Sequence, residues 1–173
     1  MLTKIRTKVL MIAALGALVL FSVAAPTEAQ ATDFSFRSVD GPVVTSESLR
    51  GEVAVLAFGA SWLPLTRNQM EGLKKLADQY AGRGVAVYWV STESDSAKSK
   101  NFVSDDDLRT LGRKYKITVL RDPDGAISKR MGIDQLPSTV IINKQGQAVA
   151  TVGGLDPNAD LAKQLAEKLD KVL

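Results

Sequence analysis

Two apolar runs separated by a helical segment constrain the fold of this chain more than any other feature. Val53–Phe58 and Val85–Val90 are rich in β-branched residues and have the length of buried strands. Between them, apolar residues recur at helical spacing from about Pro64 to Tyr80, and Gly82 and Gly84 follow as stop signals. Connections this short predict a right-handed βαβ unit whose two strands lie side by side and parallel.

The turn between the first strand and its helix is the first candidate site. Proline suits the first turn of a helix, because its missing N–H would have no helical partner there, so Pro64 places the helix start near that point. The segment Ser61–Thr66 then forms an exposed loop at the positive end of the helix dipole, with Trp62 inside it.

Shorter patterns complete the secondary structure. The acidic run Asp105–Asp107 is interpreted as a helix start rather than a metal site, because carboxylates in a first turn commonly cap a helix and match its dipole. Asp122–Gly125 lacks the remaining ligands of a calcium loop and is interpreted as a turn. The other predicted elements are strands over Phe34–Val39, Val43–Thr45, Ile117–Leu120, Ser138–Ile142 and Gln147–Val152, and helices over Asp105–Tyr115, Ala126–Met131 and from about Pro157 to Val172.

Two motifs in this order of elements carry a resemblance to a known family. Trp62 in a strand–helix turn and Leu136-Pro137 just before an apolar strand resemble the thioredoxin superfamily, specifically the secreted TlpA/ResA-like thioredoxins of the redoxin (AhpC/TSA) type. Leu49-Arg50-Gly51 before the first core strand is similar to that family as well. The resemblance implies an α/β thioredoxin-like fold, with a central mixed β-sheet flanked by helices, an N-terminal β-hairpin extension and a cis Leu136–Pro137 bond.

The sequence departs from that family at the residues that carry its chemistry. Leu63 and Thr66 stand where the family's Trp-Cys-x-x-Cys motif has its two cysteines, and the chain contains no cysteine and no histidine. The family's buried acid would fall near Ala57, where no carboxylate is present. Dithiol chemistry therefore cannot operate on this chain, and we expect neither a catalytic residue, nor a cofactor, nor a metal.

What remains is a binding hypothesis. The resemblance places seven residues at the family's site: Trp62, Leu63, Pro64, Leu65, Thr66, Leu136 and Pro137. In that family extended segments pair with the backbone beside the cis-proline, which requires no sulfur. We therefore expect a redox-inactive protein that binds an extended segment of a protein or peptide partner.

Three alternatives stay open. The chain could be a redoxin-family oxidoreductase by descent, with its catalysis lost or dependent on a partner. It could also be a structural domain whose groove is vestigial, with Leu63 and Leu65 simply packing inward. Finally, the helix end and Arg67 could hold a carboxylate or phosphate.

The amino terminus predicts export. Basic residues from Lys4 to Lys8, an apolar run over Val9–Ala25 and the small-residue site Ala29-Gln30-Ala31 are typical of a signal peptide over residues 1–31, cleaved before Thr32. The alternative is an uncleaved membrane anchor, although the run is shorter than the about 20 residues that a bilayer span needs. We expect one domain over residues 32–173 in the periplasm or outside the cell. Interspersed charges without a basic patch argue against nucleic acid as a partner.

Overall fold

The structure, a computed structural model, describes residues 32–173, so the predicted signal peptide lies outside the described residues. The strands are β1 (Ser35–Ser38), β2 (Val43–Thr45), β3 (Val53–Gly59), β4 (Val85–Ser91), β5 (Thr118–Arg121), β6 (Ser138–Ile142) and β7 (Ala148–Gly153). The helices are α1 (Thr66–Gln79), α2 (Asp105–Tyr115), α3 (Ala126–Arg130) and α4 (Leu161–Leu169). A short 3-10 turn, Pro123–Gly125, precedes α3.

The strands form one mixed sheet in the order β2-β1-β5-β4-β3-β6-β7. β3 and β4 pair in parallel along their full length, from Val53 opposite Val85 to Gly59 opposite Ser91, which confirms the predicted βαβ unit. β6 pairs antiparallel with the other side of β3, and the β1–β2 hairpin joins the sheet through β5. The predicted thioredoxin-like fold with an N-terminal hairpin is therefore confirmed.

The central strand β3 divides the core into two halves, because its successive side chains point to opposite faces. Val55 and Ala57 pack in the half covered by helices α1 and α4. Leu56 and Phe58 pack in the other half, beneath the N-terminal hairpin and α3. All seven residues of β3 are buried, as expected for a strand covered on both faces.

Two helices begin later than the sequence predicted. α1 begins at Thr66 rather than Pro64, because the chain first makes a turn in which the Thr66 N–H donates to the Leu63 carbonyl at 3.1 Å. α4 begins at Leu161 rather than Pro157, because the Asp160 side chain caps it by accepting from the Lys163 N–H at 3.2 Å. Capping side chains and turn geometry fix these starts, whereas proline only permits them.

No helix among residues 32–173 combines the length and the apolar character that crossing a bilayer requires.

Candidate functional site

Trp62 is the most exposed large apolar side chain at the carboxyl end of the central strands. It is 65% exposed, yet its ring is held in one place because Nε1 donates to Asn101 Oδ1 at 2.9 Å. Asn101 comes from the long loop between β4 and α2, so two separate loops position the indole. An exposed tryptophan with its polar atom satisfied presents a large rigid apolar surface, which is common at binding sites.

Thr66 closes the turn that carries Trp62. Its side chain is buried, and its hydroxyl donates to the Ala60 carbonyl at 2.6 Å. The Leu63 N–H donates to the same carbonyl at 3.1 Å. Thr66 thus stabilises the loop from within, where the resemblance places a cysteine.

The predicted cis peptide bond is confirmed. Leu136–Pro137 is cis, Pro137 is buried, and Leu136 is 38% exposed beside it. The Pro137 carbonyl accepts from the Gly154 N–H at 2.9 Å, which ties this loop to the end of β7. The cis-proline loop therefore offers one exposed apolar side chain, from Leu136.

A groove of about 560 Å³ separates Trp62 from this loop, and we call it the Trp62 groove. Its lining includes Trp62, Leu63, Asn101, Asp124, Asp134 and Leu136. Three of the seven residues predicted for the site thus line the same groove. The other four do not line it: Thr66 and Pro137 are buried, Leu65 is half-buried and Pro64 is exposed.

A buried carboxylate beneath the Trp62 loop was missed by the sequence analysis. Glu93, just beyond the end of β4, accepts from the Ser61 N–H at 2.8 Å and from the Ser61 hydroxyl at 2.7 Å. The Ser91 hydroxyl donates to it as well, at 3.0 Å. Because Glu93 holds the residue next to Trp62, it acts as the anchor of the exposed loop.

A second polar contact lies deeper beneath the same loop. Buried Trp89 donates from Nε1 to Gln69 Oε1 at 2.9 Å, and Gln69 in turn donates to the carbonyls of Phe58 and Ser138 at 3.3 and 3.4 Å. A Cβ atom on Gly59 would lie 2.9 Å from Gln69 Oε1 and 3.0 Å from Trp89 Nε1, so only glycine leaves room for this contact. Gln69 therefore ties β3, β4 and β6 together below the groove.

A charged cluster lies at the carboxyl end of β5. Arg37 binds Asp105 through two hydrogen bonds of 2.7 and 3.2 Å, and this contact lowers the pKa of Asp105. Arg121 is buried, with Nε 3.6 Å from Asp105 Oδ1. Within residues 32–173 its guanidinium nitrogens make no hydrogen bond, and burial lowers its pKa.

Side chains satisfy the first N–H groups of both helices that begin at the aspartate-rich segments, although at α2 this role belongs to Ser104 and not to a carboxylate of Asp105–Asp107. The Ser104 side chain accepts from the Asp107 N–H at the start of α2. Both carboxylate oxygens of Asp122 accept backbone N–H groups at the start of α3, from Ile127 at 2.8 Å and from Ser128 at 2.7 Å. The interpretation of Asp122–Gly125 as a turn is therefore confirmed.

Arg67 does not point its charge toward the helix end. Its Nε donates to Glu71 Oε1 at 2.9 Å, one turn further along α1. This i, i+4 pair satisfies the guanidinium on the exposed helix surface. The arrangement gives no support to an anion site built on Arg67.

The polar residues that complete the site share one sequence signal. Glu93 and Asn101 belong to the polar stretch that follows β4, at the edge of the sheet where α/β proteins usually place their sites. The sequence indicated that region as a whole. It offered no periodicity from which to select these two residues.

Comparison with known proteins is consistent with the fold. The family model described as "AhpC/TSA family" matches residues 27–150. The thiol-disulfide oxidoreductase ResA of Bacillus thuringiensis subsp. konkukian is 25% identical over 143 residues, which cover 83% of this chain and 76% of that protein. The thiol:disulfide interchange protein DsbE of Pseudomonas aeruginosa is 27% identical over 142 residues, covering 81% and 73%.

Solved structures are similar as well. The pneumococcal exposed lipoprotein thioredoxin Etrx1 of Streptococcus pneumoniae has a TM-score of 0.61 at 26% identity, covering 78% of this chain and 98% of that one. A protein described as a putative DsbE from Chlorobium tepidum has a TM-score of 0.67 at 24% identity, covering 83% and 96%. The likeness to the Chlorobium tepidum protein concerns the fold alone.

Proposed function

Because this chain belongs to the AhpC/TSA family and yet has no cysteine, we propose that it is a redox-inactive, thioredoxin-like binding protein of the cell envelope. Its ligand is an extended segment of a partner protein, bound in the Trp62 groove. The observation that carries this proposal is the fixed and exposed indole of Trp62 on the edge of a groove of about 560 Å³.

The energetics of Trp62 support binding rather than a vestigial site. A large apolar ring left in water gives up the stabilisation of burial, about 1.5–3 kcal/mol for a side chain of this size class. If Trp62 only filled space, it would pack inward, as Trp89 does. Leu63 is half-buried and Leu136 is exposed across the groove, so the apolar surface continues on both sides.

Location in the envelope rests on the predicted signal peptide and on a similar protein. The pneumococcal structure is described as that of an exposed lipoprotein. Mass spectrometry of the protein isolated from its host tests this part of the proposal. We expect a mature amino terminus at Thr32, and a full-length chain retained in the cytoplasm would contradict it.

Binding is tested by site-specific photo-crosslinking in intact cells, with the photoreactive residue at Leu63. The control position is Lys163, which is exposed on α4 and is not part of the groove lining. We expect a discrete adduct from position 63 only, and we expect Trp62→Ala to abolish it without changing the melting temperature. Equal labelling at both positions, or no adduct from abundant folded protein, would overturn the proposal.

A further inference from the structure

We propose that the segment bound in the Trp62 groove carries an apolar side chain with a lysine or arginine next to it. This inference rests on the proposed function and specifies the chemistry of its partner. It is based on the presence of both exposed apolar side chains and carboxylates in the lining of the groove. Trp62 and Leu136 supply exposed apolar surface, while Asp124 and Asp134 supply the carboxylates of the lining.

The two carboxylates have no internal counter-ion. Asp124 and Asp134 are both exposed, and neither takes part in an ion pair within residues 32–173. Lys129 is the single cation in the lining, and its ammonium donates to the backbone carbonyl of Asp124 at 3.5 Å rather than to a carboxylate. The lining therefore has an excess of negative charge that a basic side chain would complement.

The backbone at Asp124 is held in an unusual conformation. Its φ of 61° lies in the left-handed region, which L-residues other than asparagine and aspartate rarely adopt. The following turn fixes it there, because the Gly125 N–H donates to the Asp122 carbonyl at 2.9 Å and the Asp122 side chain caps α3. Asp124 is thus presented to the groove by a rigid turn, which reduces the entropy lost when a ligand binds.

The apolar and acidic parts of the groove suit neighbouring side chains of one segment. An apolar side chain would cover part of the Trp62 ring, and a cation beside it would meet the carboxylates. A guanidinium or ammonium near the exposed indole would gain a cation–π contact in addition. An acidic side chain in the same place would face Asp124 and Asp134 without compensation.

The experiment compares three acetylated and amidated peptides, Ser-Val-Leu-X-Val-Ser, in which X is lysine, glutamine or glutamate. Binding is followed through the fluorescence of the full mature chain, since Trp62 is exposed in the groove whereas Trp89 is buried, and Trp62→Phe identifies the signal that comes from Trp62. We expect the lysine peptide to bind about tenfold more tightly than the glutamate peptide at low salt, with glutamine between them. Raising the salt should reduce that ratio.

Matched variants assign the effect to the groove. Asp124→Asn and Asp134→Asn remove charge without changing shape, and asparagine tolerates the left-handed backbone at position 124. Each should lower the lysine-to-glutamate ratio about threefold, whereas Lys129→Gln should raise it. The control is Glu52→Gln, an exposed carboxylate that precedes β3, a strand of about 23 Å that separates it from the groove.

The possible failures are distinguishable. If all three peptides bind with equal affinity, or if Glu52→Gln lowers the ratio as much as Asp124→Asn does, the charge preference is overturned while the proposed function stands. If no peptide changes the fluorescence of the folded chain, the charge preference is overturned together with the proposed function.

Discussion

Glu93 and Arg121 are two charged residues at the same edge of the sheet, and each is 2% exposed. They differ in the hydrogen bonds that the protein offers to their charged groups. Glu93 accepts three hydrogen bonds from Ser61 and Ser91. Arg121 donates none within residues 32–173. Burial alone therefore does not show what a charge does. Glu93 replaces its hydration with hydrogen bonds from the protein and positions a loop, whereas Arg121 has only longer-range attraction to carboxylates, chiefly Asp105 but also Asp95 and Glu93.

The largest expected effect on stability comes from removing the carboxylate of Glu93, the charged residue whose hydrogen bonds are made within the protein. Glu93→Leu leaves the Ser61 N–H and two hydroxyls without their partner, so we expect the free energy of unfolding to fall by about 2–4 kcal/mol. Urea unfolding measures it. Glu52→Leu at an exposed position is the control and should change stability by less than about 0.5 kcal/mol. A similar small effect at Glu93 would mean that the loop does not depend on its carboxylate.

The same substitution should loosen Trp62 as well. Glu93→Gln, which keeps an acceptor for the Ser61 N–H, should retain most of the peptide binding that Glu93→Leu loses. Loss of binding in the leucine variant together with rescue by glutamine would identify Glu93 as a positioning residue. Equal binding by both variants would restrict its role to stability.

Arg121→Met is expected to change the free energy of unfolding in the opposite direction from Glu93→Leu. A methionine of similar length removes a desolvated cation, while Asp105 keeps its two hydrogen bonds to Arg37 and buried Glu93 keeps its three to Ser61 and Ser91. Replacing a poorly compensated buried charge with an apolar side chain is neutral or stabilises by about 1–4 kcal/mol. Thermal and urea unfolding give the sign. A loss greater than about 1 kcal/mol would show that the attraction of Arg121 to the surrounding carboxylates outweighs its desolvation.

The smallest expected effect concerns the loss of stability at acidic pH. Arg37 lowers the pKa of Asp105, so the stabilisation from this pair is complete above about pH 3.9, the ordinary aspartate value, and is lost as the pH falls through the lower folded value. Asp105→Asn, made in the Arg121→Met variant so that no buried cation loses its counter-charge, should therefore reduce stability at neutral pH by no more than about 1 kcal/mol, since the pair with Arg37 is partly exposed to solvent. It should also flatten the loss of stability below pH 4. If the free energy of unfolding, measured by urea unfolding at each pH, falls below pH 4 as steeply in the variant as before, the loss belongs to other carboxylates.

Much of the fold could be predicted because it follows from periodic patterns. The apolar runs at Val53 and Val85 and the helical stripe that includes Leu73 carry their structure in their own spacing. The cis Leu136–Pro137 bond was implied by the family resemblance instead. Trp62 was predicted to belong to the site from the resemblance to the thioredoxin superfamily and not from periodicity. The start of α1 could not be predicted, because it depends on hydrogen bonds from Thr66 to residues of the preceding turn.

The polar residues of the site could not be predicted from the sequence for a different reason. Glu93 and Asn101 lie in the loop after β4, and Asp124 lies in the turn before α3; tertiary folding brings these two segments together. Nothing in their local sequence distinguishes the three residues from other polar loop residues. A carboxylate on a loop can be buried only where hydrogen-bond donors surround it, and the donors to Glu93 are Ser61 and Ser91, which are remote from each other in sequence. Only the register of β3 with β4 makes them neighbours.

The hydroxyl of Thr66 has an evolutionary consequence. It donates to the Ala60 carbonyl at 2.6 Å inside a turn that is 3% exposed at Thr66, and a thiol is a much weaker donor. A chain that acquired cysteine at position 66 would weaken its own turn before it gained any chemistry, since a second cysteine at position 63 would still be missing. The route back to a dithiol therefore begins with an unfavourable step, and selection would tend to keep the thiol-free form.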